Sequence, residues 1–322
     1  MSEMMIIGEN DVKSLLTMKE AIQLVEKAYS ELNDSKSIIF PAIREEIPAH
    51  KGIFGIKSSY LKQQKYIGLK AGGFWPGNAA KGKLNHQSTM LLFNAESGEP
   101  VCAVGANYLT GIRTGAAGAV AAKYLAKPDS KVVGIIGTGT QSRTQLEGLF
   151  TQFPIEKIAI YSRTEDGAER LSKEIIERGL AIDVCIYTHP QEVTEQADII
   201  VTSTPSFSPI IKTSWVKSGT HINAIGSDTK GKREIEIDKK PDKMVCDLWE
   251  QCSIMGEFQH GISRNELYAE IGEIVNGKKM GRENNHEITL FDSTGLSVQD
   301  LEAAVYVYEK ARNSGLGSLI HF

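Results

Sequence analysis

The sequence predicts an α/β protein whose second half folds as a doubly wound parallel sheet and whose first third is a smaller α+β domain. Three observations carry that expectation. From Val132 onward short apolar runs alternate with helical patterns, the rhythm of strands joined by crossover helices. From Ile38 to about Val104 the apolar runs are instead broken by Gly, Pro and Asn without helical spacing, which reads as antiparallel sheet. Gly137-Thr138-Gly139 then follows a buried strand and precedes a helix, where a dinucleotide-binding turn belongs.

Taken in order, Thr17 and Glu20 have the spacing of a capping box, and Ala21, Leu24, Val25, Ala28, Tyr29 and Leu32 recur at helical intervals behind them. An amphipathic helix is therefore expected to open the chain. Strands are expected at 53–56, 66–71, 89–93 and 100–104, with Glu96-Ser97-Gly98-Glu99 as a turn. A Gly/Ala-rich helix follows Arg113 and stops near Lys127-Pro128-Asp129, because proline and the residue before it both disfavour helix. That break is the expected domain boundary. The parallel sheet should use 132–136, 158–161, 182–186, 199–203, 221–225, 244–247 and 288–291. The last helix, Val298 to Arg312, has no following strand to cross to, so it is expected to return to the first domain and make it discontinuous. The domains would then be 1–127 plus 297–322, and 128–296.

Composition excludes several classes. The 322 residues are 41% hydrophobic and 24% charged, the balance of a chain that buries cores. The net charge of -4 is small and the Lys and Arg residues are dispersed, which argues against nucleic acid as a partner. Cys102, Cys185, Cys246 and Cys252 form no CxxC pair and no zinc spacing, so no metal site is expected and the thiols read as reduced. The longest bland run, Gly115 to Leu125, contains Lys123 and is too short to span a bilayer. The start, MSEMMIIGENDV, lacks the parts of a signal peptide, and a cytoplasmic protein is expected.

In VVGIIGTGTQS, Gly137 permits the tight turn and Gly139 lets backbone approach a pyrophosphate, whose charge sits against the amide end of the following helix. Ser142 stands where the third glycine of the Rossmann fingerprint would be. The second strand ends at Ser162-Arg163-Thr164 rather than at the acidic residue that usually receives the ribose of NAD. Arg163 suits a 2′-phosphate and leans the reading toward NADP over NAD, the alternative being a solvated Arg beside Glu165 and Asp166.

Arg113 sits among small residues that leave space for a guanidinium to grip a substrate carboxylate. Arg44 is a second candidate, with an ion pair to Glu45 or Glu46 as its alternative. Lys70, between an apolar strand and a glycine pair, reads as partly buried, hence a proton donor or acceptor near neutral pH. His86 is equally a loop end or pocket lining. Asp228 lies beyond the carboxyl end of a predicted parallel strand, where open sheets place ligands, or is simply a turn residue. Ser293 and Thr294 either face a nicotinamide or cap the next helix.

The segments IRTGAAGAVAAKYLA, GIIGTGTQS, VTSTPS, THINAIGSD, GREN with EITLFDSTGLSVQDLEAA, and NSGLGSLI resemble, in order, those of the ornithine cyclodeaminase and mu-crystallin family. The resemblance implies a Rossmann domain inserted into a discontinuous α+β domain that binds substrate and forms a homodimer. It implies that Arg113 and Arg44 hold the substrate carboxylate, that Lys70 and Asp228 handle protons, and that Ser293 lies near the nicotinamide. In the cofactor domain it implies contacts from Gly137, Thr138, Gly139, Thr140, Gln141, Ser142, Ser162, Arg163, Thr164, Ser203, Thr204, Pro205, Ile225 and Gly226. Lys57 stands where an ornithine cyclodeaminase tends to carry an acid for the distal ammonium, and it would repel that ammonium. With His86 it makes the pocket cationic enough for a second substrate carboxylate. The expected activity is therefore NAD(P)H-dependent reduction of a small 2-imino acid, pyruvate imine or iminosuccinate. Its rivals are a cyclodeaminase lyase with catalytic NAD, and a crystallin-like NADPH-binding protein without turnover.

Overall fold

Thr17 caps the helix Met18–Asn33 as its spacing predicts: its hydroxyl accepts from the Glu20 amide while the Glu20 carboxylate takes the Thr17 amide at 2.8 Å. The helix does not open the chain. In the computed structural model, which describes residues 3–321, a strand Glu3–Ile7 and a short helix Glu9–Leu15 come first. Five residues such as EMMII are too few to show a period, and only pairing with Pro100–Gly105 and Ser318–His321 makes them a strand. Ser318–His321 itself escaped the sequence reading for the same reason.

The described chain divides into two compact units, one running to Arg113 and resuming at Leu296, the other Thr114–Gly295. In the first, the sheet runs Ser318–His321, Glu3–Ile7, Pro100–Gly105, His86–Asn94, Tyr66–Phe74, Gly52–Leu61 and Ser37–Ile39, with Ile43–Ile47 also on Gly52–Leu61. From Ser37 to Gly105 all its pairings are antiparallel. The last helix, Ser297–Ser314, packs on this sheet and on Met18–Asn33. Val298, Leu301, Ala304 and Val305 are buried there.

The second unit is a parallel sheet ordered Asp183–Tyr187, Lys157–Tyr161, Val132–Ile136, Ile199–Thr202, His221–Ala224, Thr289–Asp292, Lys243–Cys246 and Ala269–Glu270. Its strands read as unbroken apolar runs because both faces are covered. Val133 and Ile135 join Leu146, Leu149, Leu171 and Ile175 on one side, whereas Ile136 joins Val193, Ile211 and Phe258 on the other. The order proceeds outward from Val132–Ile136 in one direction and then resumes from Ile199–Thr202 in the other. The sheet is thus doubly wound, with its switch point between those strands. A separate parallel pair, Phe207–Lys212 with Arg233–Glu236, is not among the strands expected from the sequence.

Two boundaries differ from expectation. The Gly/Ala-rich helix is Asn107–Leu125, so Arg113 lies inside it rather than before it, and the units divide at Arg113 and Thr114 within that helix, not at Pro128. Helices can cross between compact units without a break, so proline marks where this one ends and not where packing changes. At the other end the division at Gly295 and Leu296 falls one residue from the expected one. Among the described residues no helix is long and apolar enough to cross a membrane, and no cluster of side chains could hold a metal ion.

Candidate active site

Lys70 lies mid-strand in Tyr66–Phe74, not at a strand end, because Gly72 and Gly73 continue the pairing through Phe74. Its ammonium is buried and reaches Asp300 of the last helix, with Oδ1 and Oδ2 each at 2.8 Å, and the Thr110 hydroxyl at 3.2 Å. Arg113, also buried, donates through Nε to Asp300 Oδ1 at 2.9 Å and through Nη1 to Gln299 Oε1 at 3.1 Å. Gln299 is held in turn by the Leu296 amide at 3.0 Å. A strand residue, a helix residue and the first turn of the last helix are thus pinned together within one unit.

The electrostatics follow from burial. Desolvation pushes the Lys70 ammonium down to about 7; Asp300 opposes that shift, while the positive charges of Arg113 and Lys57 add to it. Burial alone would raise the Asp300 carboxyl, but Arg113 and Lys70 together hold it below its ordinary range. Two buried cations therefore share one carboxylate, and Lys57, opposite Lys70 on Gly52–Leu61, adds a third positive field. Such a site favours an incoming anion.

Asp300 and Gln299 were not singled out from the sequence. An Asp in the first turn of a helix is ordinarily explained by the helix dipole, and only its complete burial marks it as more. Arg44 is exposed on Ile43–Ile47, opposite Gly55 and one strand removed from Lys70. His86 begins its strand, half-buried, opposite Phe74.

In the second unit the glycine turn occupies the switch point. Gly137 has φ +97°, and a Cβ there would meet the Ser203 carbonyl at 2.9 Å and the Thr204 methyl at 2.6 Å. Gly139 has open space where its Cβ would stand, and it precedes Thr140–Phe150 without any side-chain cap on that helix. An exposed, uncapped helix start behind a turn whose two glycines carry no side chain fits a pyrophosphate. Ser142, in place of the third glycine, is fully buried: its hydroxyl donates to the Gly137 carbonyl at 2.7 Å and meets the Ser203 hydroxyl at 2.9 Å. Thr140 is exposed, and Gln141 is tied to Thr144 at 3.1 Å through its carbonyl. Arg143, which the sequence reading passed over, braces the turn by donating to the Thr138 and Gly139 carbonyls at 2.8 and 2.9 Å.

Around that turn Ser162 pairs with the Thr138 hydroxyl at 3.1 Å, and Arg163 and Thr164 are exposed. Ser203, Thr204 and Pro205 extend from Ile199–Thr202, and Ile225 and Gly226 from the neighbouring His221–Ala224. Ser293 and Thr294 do not cap the last helix, whose N-cap is Leu296. They are instead gathered by Asp247, which accepts from the Ser293 hydroxyl at 3.3 Å, the Thr294 amide at 2.9 Å and the Gly295 amide at 2.7 Å. Asp228 is half-exposed and pairs with Lys232 at 2.6 Å.

Residues 2–315 match the family model described as the ornithine cyclodeaminase/mu-crystallin family. The chain belongs to that family. It is 39% identical over 326 residues to an alanine dehydrogenase of Archaeoglobus fulgidus, covering 99% of each chain. It is 36% identical to an iminosuccinate reductase of Paracoccus denitrificans, covering 97% of this chain and 98% of that one. The solved structure of an archaeal alanine dehydrogenase dimer with bound NAD superposes with a TM-score of 0.93 at 39% identity over 100% of both chains. Family membership, the doubly wound sheet and the discontinuous α+β unit agree with the expectations from sequence.

Proposed function

We propose that this family member reduces a small 2-imino acid, pyruvate imine or iminosuccinate, to the L-amino acid at the expense of NAD(P)H. It is an NAD(P)-dependent oxidoreductase acting on C=N and CH–NH2 groups, as its relatives named above are. The observation that carries the finer reading is the buried Lys70–Asp300–Arg113 cluster, a preformed anion site with a proton-exchanging amine inside it. Arg113 has Nε and Nη1 engaged, which leaves Nη2 for the substrate carboxylate. Lys57, and His86 with it, suit a second carboxylate. Arg44 remains a candidate for the first.

The glycine turn would hold NAD(P)H, which when bound would supply the hydride for imine reduction. Lys70 in its ammonium form protonates or hydrogen-bonds the imine nitrogen and so increases the positive charge on that carbon; the amine product keeps the proton. Asp300 keeps the ammonium in place and Asp228 shares the proton traffic. In the reverse direction neutral Lys70 takes the proton back. Imine reduction should therefore weaken, and amino acid oxidation strengthen, as pH rises through about 7, the value to which burial lowers Lys70. Rate profiles in both directions that share no inflection near neutrality would remove Lys70 from this role.

The reading is tested by following NADH and NADPH oxidation separately with ammonia plus pyruvate, oxaloacetate or glyoxylate, beside ornithine and lysine. Net oxidation with a keto acid is expected. Silence on every keto acid, together with proline formed from ornithine and no net cofactor turnover, would make the protein a cyclodeaminase instead. Arg163 supports a lean toward NADPH through a 2′-phosphate. Arg163→Ala should weaken NADPH about tenfold and leave NADH within about twofold, as fluorescence titration would read. A cytoplasmic homodimer, with the first unit binding substrate and carrying the interface, completes the reading; the archaeal relative's dimer supports the dimeric state alone.

A further inference from the structure

We propose that Glu234 is a positioning residue for the cofactor site, a buried carboxylate that ties together the loops leaving two adjacent strands of the parallel sheet. The proposal rests on the cofactor reading above. Glu234 comes from the separate strand Arg233–Glu236 and is fully buried. Its Oε1 accepts the Thr204 amide at 2.5 Å, and its Oε2 accepts the Gly226 amide at 2.8 Å and the Thr202 hydroxyl at 2.8 Å. Thr204 and Gly226 follow Ile199–Thr202 and His221–Ala224, which pair directly in the sheet at the edge where open α/β sheets hold ligands. A Cβ at Gly226 would lie 2.5 Å from that carboxyl, so the loop and the acid are fitted to each other.

The neighbours of Glu234 make this an expensive way merely to hold a fold. No ion pair neutralises it among the described residues. Glu257, also buried, stands next to it, accepting the Glu234 and Ile235 amides at 2.7 and 3.3 Å and a short hydrogen bond from Ser227. Lys232 is committed to Asp228 at 2.6 Å and reaches the Gly226 carbonyl at 3.4 Å. His260 acts on Glu257, whose charge in turn acts on Asp292, and the Arg233 guanidinium donates to the Ile235 carbonyl at 3.3 Å. A buried acid whose partners are loop amides and a hydroxyl spends its desolvation cost on loop geometry.

Burial first, and then the charge of Glu257, push the Glu234 carboxyl up to about 7 against the hydrogen bonds from Thr204 and Thr202. The ionised form accepts from both amides and from Thr202. When protonated, Glu234 donates a hydrogen bond to the Thr202 oxygen and its pull on the two amides weakens. Both loops are held best in the ionised form, so cofactor should bind more tightly above the midpoint than below it.

The experiment is a fluorescence titration with NADH, which has no 2′-phosphate to ionise, at pH 6 to 8.5, on the wild type, Glu234→Gln and Thr202→Val, with thermal melting alongside. Wild-type affinity should rise through neutral pH. Glu234→Gln keeps an acceptor for one amide but turns an NH2 toward the other; it should bind about tenfold more weakly at pH 8 and lose the pH dependence. Thr202→Val removes a bond that favours ionisation and should move the midpoint to higher pH. A folded Glu234→Gln protein with wild-type affinity and wild-type slope overturns the proposal. If that variant does not fold, a flat wild-type profile, or a midpoint unmoved in Thr202→Val, overturns it equally. A wild type that binds neither NADH nor NADPH brings down the cofactor reading first and this proposal with it.

Discussion

Asp300→Asn should lower kcat/KM for imine reduction by about a hundredfold or more, the scale of a misplaced catalytic group. The carboxylate is the shared partner of Lys70 and Arg113, at 2.8 and 2.9 Å, so one substitution releases both. It also leaves two buried cations facing a neutral amide, and breaking a buried ion pair from one side costs about 3–5 kcal/mol of stability. Because Asp300 raises the pKa of Lys70 against desolvation, its loss should move the neutral inflection of the rate profile to lower pH. Denaturant unfolding and pH–rate profiles of the variant read these effects separately. Activity within about twofold of wild type would show that Asp300 holds nothing the chemistry needs.

Lys70→Met should lower kcat/KM by roughly 10²–10⁴, the range for removal of a general acid or base, with NADH affinity nearly unchanged because the glycine turn belongs to the other unit. The same variant isolates a stability effect of known sign. Folding lowers the Lys70 pKa from its ordinary 10.5 to about 7, so between these values the unfolded chain binds a proton that the folded protein does not. Stability contributed by this group rises with pH across that window, and its full penalty applies below about 7. The stability of wild type relative to Lys70→Met should therefore improve steadily from pH 7 toward 10.5, measured by chemical unfolding. A difference that stays constant over that range would mean Lys70 keeps an ordinary pKa.

Much of the fold was legible because local signals there agree. The Thr17 and Glu20 capping box, the continuous apolar strands around 132–136 and 199–203, and the return of the last helix all appear in the structure, with ends shifted by a few residues. Strands such as Glu3–Ile7, Ser318–His321 and Arg233–Glu236 were not legible, since short strands acquire their identity from partners distant in sequence. The glycine turn was recognised despite its missing third glycine. What Ser142 contributes instead, a hydroxyl closing the turn onto Ser203, depends on a residue sixty-one positions away.

By itself the sequence determined the class of fold, the glycine turn between strand and helix and the presence of Lys70 and Arg113, because glycine geometry, apolar periodicity and small-residue packing are properties of neighbouring residues. Only the tertiary structure decided that Asp300 binds both cations, that Glu234 and Asp247 organise the loops at the sheet edge, and that the units part inside a helix. The physical reason is burial. A carboxylate in solvent is unremarked surface, while the same group enclosed with two cations, or with backbone amides and hydroxyls, becomes a strong electrostatic constraint, and which acids are enclosed is fixed only when distant segments pack.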